Sequence, residues 1–416
     1  MTKPQTTVEE ARDIILDHTQ KTPKIDIPVE NSGGYVLAED IEASEPVQPF
    51  RNAAMDGIAC RYEDAKVNGQ PLTIIGEVAA GDPGTITVQA GECVQIMTGA
   101  PVPDELDTVI RIEDCNIEEN EVTFTRLPSK GEGDNIRNAG EDIQPGDRVL
   151  KAGQVLRPYE LGVGVLSGRG SVKVHRQPRV AVLSTGNELV TEPGADLGPG
   201  QIRDINQFTL SEGARQAGAE VTSVESLPDD LDATLDHTQN LLEEHEIILT
   251  SGGISMGEYD FIGDVMSRLD VEFLFHKVWQ KPGKPLGFGV SDGTLWFALP
   301  GNVVSSMVNF EVYVRPTIFQ MRGIQQDDRE IRHLSSSESL RETDRRTFFF
   351  RGQYNRNGDQ TTVHLTETGQ GSHVMTSMSA ADCLIEVPPK TDVQPGDVVK
   401  TIDLQSPVPV PLPNTK

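Results

Sequence analysis

Between Arg179 and Gly323 the sequence alternates short apolar runs with amphipathic stretches, and nothing else in the chain narrows its fold as much. Arg179 to Thr185 (R-V-A-V-L-S-T) and Glu246 to Thr250 read as buried strands, with further strands at Val221 to Leu227, Val271 to Val278 and Leu295 to Leu299. Asn206 to Ala217 reads as a helix stopped by Gly218, and Asp229 to His245 carries Leu231, Leu235, Leu241 and Leu242 on one stripe. Phe261, Val265 and Leu269 mark another helix, and Val303 to Met321 a long one bent at Pro316. Such alternation over about 145 residues predicts a mostly parallel α/β sheet with helices on both faces, the expected chemical domain.

The flanks differ in texture. Val8, Ala11, Ile14 and Ile15 predict an N-terminal amphipathic helix, after which short β-rich segments separated by Gly, Pro and Asp turns run to about Pro178. Beyond Gln325 an acidic, Ser-rich connector leads into the strands Arg346 to Tyr354, Thr361 to Leu365 and Cys383 to Val387, for which a small β-barrel is the simplest architecture. D-I-Q-P-G-D-R-V at Asp142 to Val149 recurs as D-V-Q-P-G-D-V-V at Asp392 to Val399. Pro fixes φ and Gly supplies a positive φ at the centre of a type II turn, so the echo reads as shared hairpin chemistry and not as duplication.

Lys and Arg number 36 against 64 Asp and Glu, a net charge of −28, which argues against a nucleic-acid partner or an anionic membrane surface. No run of eighteen apolar residues and no apolar N-terminal block occurs, so neither a transmembrane helix nor a signal peptide is expected, and the default compartment is the cytoplasm. Cys60, Cys93, Cys115 and Cys383 lie far apart without a C-x-x-C pair and read as reduced thiols.

In an open α/β sheet, ligands bind beyond the carboxyl ends of the strands. Three of those ends carry Gly-bearing turns with hydroxyls or amides: S-T-G-N-E-L (Ser184 to Leu189), T-S-G-G-I-S-M-G-E-Y-D (Thr250 to Asp260) and L-P-G-N-V-V-S-S (Leu299 to Ser306). Backbone N–H groups in such turns can approach an anion, although each turn alone is compatible with a plain strand-to-helix connection. Glu188, Asp229 and Asp260 follow strands, and Lys277, Lys281 and Lys284 lie in H-K-V-W-Q-K-P-G-K-P. Acids and lysines beside a phosphate-type cradle point to Mg²⁺ bridging to anionic oxygens; N-capping by Asp229 and solvated lysines are the structural alternatives. Asp56 in R-N-A-A-M-D-G-I-A, Thr98 in Q-I-M-T-G-A-P-V-P, and Arg137, Glu141 and Asp142 in G-D-N-I-R-N-A-G-E-D-I stand outside the α/β segment.

In combination these motifs, with Q-G-S-H-V-M-T-S-M-S near the C-terminus, resemble the molybdopterin molybdenumtransferases, the MoeA family to which the gephyrin E domain belongs, in order from about residue 8 to about residue 400. The resemblance implies a MogA-like central domain and the last step of molybdenum cofactor synthesis. Adenylylated molybdopterin and molybdate would be bound, the pyrophosphate link hydrolysed with Mg²⁺, AMP released and molybdenum placed in the dithiolene. Sulfur ligands would come from the pterin, so the protein needs no cysteine cluster.

By the same resemblance, Asp56, Thr98, Glu188, Asp229 and Asp260 surround the pterin, the metal and the reacting phosphates, with Glu188, Asp229 and Asp260 as metal ligands. Lys281, Lys284, Ser305, Arg351 and Ser372 form an anion and molybdate pocket, with Lys277, Arg137 and Asp142 further matches. Ser184, Thr185, Gly186, Ser251, Gly252, Gly253, Ser255, Pro300, Gly301 and Asn302 line the cofactor edge. Four domains are implied: a discontinuous linker and dimerisation domain (1–26, 43–52, 146–178), a β-rich domain (27–42, 53–145), the α/β molybdopterin-binding domain (179–324) and a C-terminal barrel (325–416). A homodimer sharing its sites, contact with the upstream adenylyltransferase and delivery to molybdoenzymes are also implied. Ile58, Asn187 and Val303 differ from residues frequent in the family at those positions; none removes an acid or base named above. The competing readings are the adenylyltransferase itself, which resembles only the α/β segment, and a noncatalytic pterin-binding scaffold, against which the acids at 56, 188, 229 and 260 argue.

Overall fold

The computed structural model of the chain describes residues 6–67, 70–227, 230–254, 261–324, 331–358 and 360–404. They fall into two compact units, one of residues 1–39, 152–161 and 171–416, the other of residues 40–151 and 162–170.

The larger unit contains the α/β sheet. In spatial order its strands are Glu220–Leu227, Arg179–Thr185, Ile247–Ser251, Thr294–Leu299, Pro285–Ser291 and Glu272–Lys277. The first four are parallel, and Pro285–Ser291 alone runs against its neighbours. Both faces of the inner strands Arg179–Thr185, Ile247–Ser251 and Thr294–Leu299 are buried, as a parallel sheet requires. Val180, Val182, Leu249 and Phe297 pack with Leu210 and Ala214 of the helix Asn206–Gln216, while Ala181, Leu183, Ile248 and Trp296 pack with Leu241, Val265 and Met266. The strand Pro285–Ser291 escapes the hydrophobic pattern because Gly287 and Gly289 leave their places in the core to Ile254, Phe273, Met266 and Val271.

One expectation is corrected. Val303 to Met321 is not a single helix bent at Pro316: it runs as an α-helix Val303–Asn309, a π-helical turn Phe310–Val314 and an α-helix Arg315–Met321. Pro316 lies in the first turn of the last segment, where its missing N–H costs little.

At the other end of this unit, Thr347–Asn357, Gln360–Leu365, Ile331–Ser336, Val398–Asp403 and Cys383–Val387 pair in that order and close back on Thr347–Asn357, a five-stranded barrel. The short strand Gln280–Lys281 adds to the barrel, with Gln280 opposite Thr347 and Lys281 opposite Phe348. This pairing carries the K-P-G-K-P loop from the α/β sheet to the barrel strand that holds Arg351.

The smaller unit is built on a six-stranded sheet in the order Thr108–Arg111, Gly57–Cys60, Glu92–Ile96, Leu72–Val78, Glu121–Phe124 and Cys115–Glu118. The two Q-P-G-D echoes fold alike. Asp147 N–H donates to Gln144 O and Asp397 N–H to Gln394 O, each at 3.0 Å, while both aspartates accept from the Gln N–H at 2.8 Å. All four cysteines are free thiols, and burial pushes Cys93, Cys115 and Cys383 up to about 12. Among the described residues no helix is long and apolar enough to cross a membrane.

Candidate functional site

Four separated segments meet at a cavity of about 480 Å³ in the larger unit. It is lined by Lys281, Lys284, Arg341, Arg346 and Arg351, by Ser305 and Ser372, and by no carboxylate among the described residues. Five cations without an acid is a strong local inversion in a chain of net charge −28.

Each cation is held differently. Arg351 is 1% exposed. Its guanidinium donates to Ser377 Oγ (3.1 Å), Phe349 O (3.3 Å) and Gly371 O (3.4 Å), with no ion pair to a carboxylate among the described residues. Burial lowers its pKa to about 10. Leaving a buried cation without a counter-charge costs several kcal/mol, which neutral acceptors offset only in part. Lys281 Nζ lies 5.3 Å from the centre of the Phe348 ring and Arg346 lies over the same ring at 5.7 Å. Burial, then repulsion from Arg341 and Arg346, holds the Lys281 ammonium below the usual lysine range. Lys284 Nζ lies 5.4 Å from the centre of the Trp279 ring. Asp344 anchors Arg346 by accepting from its Nε at 2.9 Å.

The Q-G-S loop joins Arg351 to the helix carrying Ser305. Gln370 accepts from Arg351 N–H at 2.9 Å and donates to Arg351 O at 3.0 Å; two residues on, Ser372 O accepts from Val304 N–H at 3.2 Å. The structure thus brings Lys281, Lys284, Ser305, Arg351 and Ser372 to the lining of one cavity. Lys277 ends the edge strand Glu272–Lys277, opposite Pro285, and does not line the cavity.

The carboxyl edge of the sheet is a second cluster. Ser184 pairs in register with Ser251, and Ser251 with Leu299, so the three Gly-bearing turns stand side by side. Gly252 has φ +99°, and a Cβ there would lie 2.5 Å from Thr185 O, so only glycine fits this approach. Asn206 Nδ2 donates to Ser251 Oγ (2.6 Å) and to Gly301 O (2.8 Å), tying the second turn to the third. Ser184 Oγ donates to the buried Asp204 carboxylate. Thr185 Oγ1 and Asn206 Oδ1 are buried with no hydrogen-bond partner among the described residues. Gly186 is buried and Glu188 exposed, its backbone carbonyl accepting from Ile202 N–H at 2.9 Å. Gly253, Pro300 and Asn302 lie in the same turns. Asp229, Ser255 and Asp260 lie outside the described residues.

In the smaller unit, Asp56 Oδ1 accepts from both N–H and Oγ1 of Thr98 at 2.7 Å, which holds its carboxyl below the usual range. Arg137 is exposed in the strand Ile136–Arg137, opposite Asn52, and Asp142 is exposed with its N–H bonded to Val47 O at 2.9 Å.

Models of the MoeA N-terminal region (domain I and II), a probable molybdopterin binding domain and the MoeA C-terminal region (domain IV) match residues 6–168, 181–320 and 334–404. A Staphylococcus aureus molybdopterin molybdenumtransferase is 31% identical over 92% of this chain and 91% of its own length. The chain belongs to the MoeA family. The Haemophilus influenzae relative of the same name is 34% identical over 91% of this chain and 93% of its own. A crystal structure of a molybdopterin biosynthesis MoeA protein from Pyrococcus horikoshii matches 97% of this chain and all of its own, with a TM-score of 0.81 at 28% identity.

Reading MoeA motifs one at a time misses Arg341, Arg346, Gln370, Asp204 and Asn206. The arginines had a signal, R-E-T-D-R-R just before F-F-F-R-G; Asp204 and Asn206 had little, since R-D-I-N-Q reads as an ordinary helix start. Among the described residues of this MoeA chain no three His, Cys, Asp or Glu side chains are grouped to hold a metal ion. Of the three expected metal ligands only Glu188 is described.

Proposed function

We propose that this MoeA-family chain is a molybdopterin molybdenumtransferase that places molybdenum from molybdate into adenylylated molybdopterin, with hydrolysis of the pyrophosphate link and release of AMP. The observation that carries the reading is the cavity lined by five cations and two serines, with no carboxylate among the described residues. A tetrahedral dianion needs cations to offset its charge and O–H donors to orient its oxygens. Lys281, Lys284 and Arg351 supply the first, Ser305 and Ser372 the second, and the buried fork of Arg351 fixes the direction of approach. The carboxyl edge, where Thr185 Oγ1 and Asn206 Oδ1 have no hydrogen-bond partner among the described residues, is assigned to the pterin substrate.

Mg²⁺ is assigned to the reaction on chemical grounds, since carboxylates and phosphate at one edge need a bridging cation; Glu188, Asp229 and Asp260 would hold it. It would neutralise charge on the pyrophosphate. A homodimer that shares its sites, with Asp56, Thr98, Arg137 and Asp142 contributing to the pterin site, and work in the cytoplasm between an adenylyltransferase and molybdoenzymes complete the proposal.

The test is to mix the protein with adenylylated molybdopterin, Mg²⁺ and molybdate and to follow AMP. Molybdate-dependent release is expected, with Asp229→Ala or Asp260→Ala releasing little; equal release with and without molybdate would leave a hydrolase, not an insertase.

A further inference from the structure

Behind the lysine loop lies a buried polar cluster that joins Gln280 of H-K-V-W-Q-K-P-G-K-P to two residues, Asn309 and Tyr313, outside the quoted motifs. Gln280 and Asn309 are fully buried and Tyr313 is 1% exposed. Tyr313 Oη donates to Gln280 Oε1 at 2.5 Å. Gln280 Nε2 donates to Asn309 Oδ1 (2.7 Å) and to Pro282 O (2.9 Å), and Asn309 Nδ2 donates to Pro285 O (3.3 Å). The amide orientations are fixed by complementarity, because turning either one would set donor against donor or acceptor against acceptor. Two of these bonds end on the carbonyls of Pro282 and Pro285, which bracket Gly283 and Lys284. Gly283 (φ +84°) sits directly on the cluster: a Cβ there would lie 2.5 Å from Asn309 Oδ1 and 2.8 Å from Gln280 Nε2.

We infer that Gln280, Asn309 and Tyr313 are positioning residues of the anion pocket, a buried clamp that sets where Lys281 and Lys284 stand. The inference rests on the proposed anion-binding role of that cavity and deepens it. Several facts support a role beyond core filling. An apolar core would be served by leucine and phenylalanine, whereas three buried polar side chains, each requiring a partner, are expensive to bury unless their geometry is used. Tyr313 belongs to the π-helical turn Phe310–Val314, and such turns frequently accompany functional sites. The clamp acts on the loop from behind, since Gln280 heads the short strand that joins the barrel while Asn309 and Tyr313 come from the helix that begins just before Ser305. Both Lys281 and Ser305 are therefore referred to the same buried group.

The experiment titrates molybdate into the intact protein, followed by calorimetry and by tryptophan emission. Trp279 lies beside the loop under Lys284, whereas Trp296 is fixed in the sheet core. Four proteins are compared: wild type, Tyr313→Phe, Gln280→Met and Arg351→Ala. Tyr313→Phe removes one hydroxyl and keeps the ring, so it tests the clamp if Gln280→Met folds poorly. The expected result is molybdate affinity weakened about fivefold to tenfold in Tyr313→Phe and more in Gln280→Met, with shifted Trp279 emission before any anion is added. The dependence of AMP release on the pterin substrate should stay unchanged. Wild-type affinity and emission in a folded Tyr313→Phe protein, with Arg351→Ala no longer binding, would overturn the clamp and leave the anion pocket standing. Absence of molybdate binding by wild type would overturn both.

Discussion

Arg351 shows what one side chain contributes here. It was legible in the sequence as part of F-F-F-R-G, but its burial and its lack of a carboxylate among the described residues were not, because both depend on a barrel closing around it. Charge-assisted hydrogen bonds are worth about 1.5–3 kcal/mol, so Arg351→Ala should weaken molybdate dependence of AMP release about tenfold to a hundredfold while leaving the pterin dependence within about twofold. Arg351→Lys should recover little, since an ammonium lacks the planar fork. The same site sets a pH dependence. Lys281 titrates below the usual lysine range and Arg351 at about 10, and only their protonated forms offer an anion a positive charge. Molybdate affinity should fall as pH rises through the lowered Lys281 value and through the Arg351 value near 10; a titration series that stays flat to pH 11 would remove both groups from the pocket. For Asp56 the direction is opposite. Its lowered pKa means that the Thr98 bonds stabilise the fold above the ordinary carboxyl value, and that this is lost as pH falls through the lowered one. Thr98→Val should raise the Asp56 pKa, readable by NMR titration of its carboxyl carbon.

Among the elements, the parallel strands and their helices were legible nearly to the residue, because a sheet buried on both faces writes continuous apolar runs into the chain. Two elements were not. The strand Pro285–Ser291 lost its pattern to glycines, and the break in the helix after Ser305 came from a π-helical turn, not from the proline that the sequence advertises. The carboxyl edge of the sheet was legible as three Gly-bearing turns, yet their mutual contacts were not, since register between strands is invisible in a one-dimensional pattern. Gly252→Ala tests that edge as an element. The backbone is already at φ +99° and the added methyl would press on Thr185 O, so the variant should lose about 1–3 kcal/mol in urea denaturation with an unchanged m-value. A loss confined to pterin affinity, with stability intact, would mean that the turns adapt more readily than their packing indicates.

Over the whole molecule the governing quantity is charge, a net −28 carrying a cavity lined by five cations. The sequence displays the first in its composition and hides the second, because Lys281, Ser305, Arg351 and Ser372 are separated along the chain and the added strand Gln280–Lys281 draws the loop to the barrel. The two fields act over different distances. Screening extends over about 30 Å at 0.01 M salt and about 8 Å at 0.15 M, so moderate salt suppresses repulsion of molybdate by the distant acids while sparing contacts at hydrogen-bond range. Molybdate association should therefore hold or quicken between about 10 and 150 mM of a salt with a bulky, weakly competing anion such as gluconate, and decline only as screening approaches about 3 Å near 1 M. The same screening should raise the thermal midpoint, because self-repulsion among 64 acids opposes the compact state. Stopped-flow tryptophan emission across that salt series decides the matter: a steady decline from the lowest salt would show that the local cations already dominate at long range, and that the acidic surface plays no part in admitting the anion.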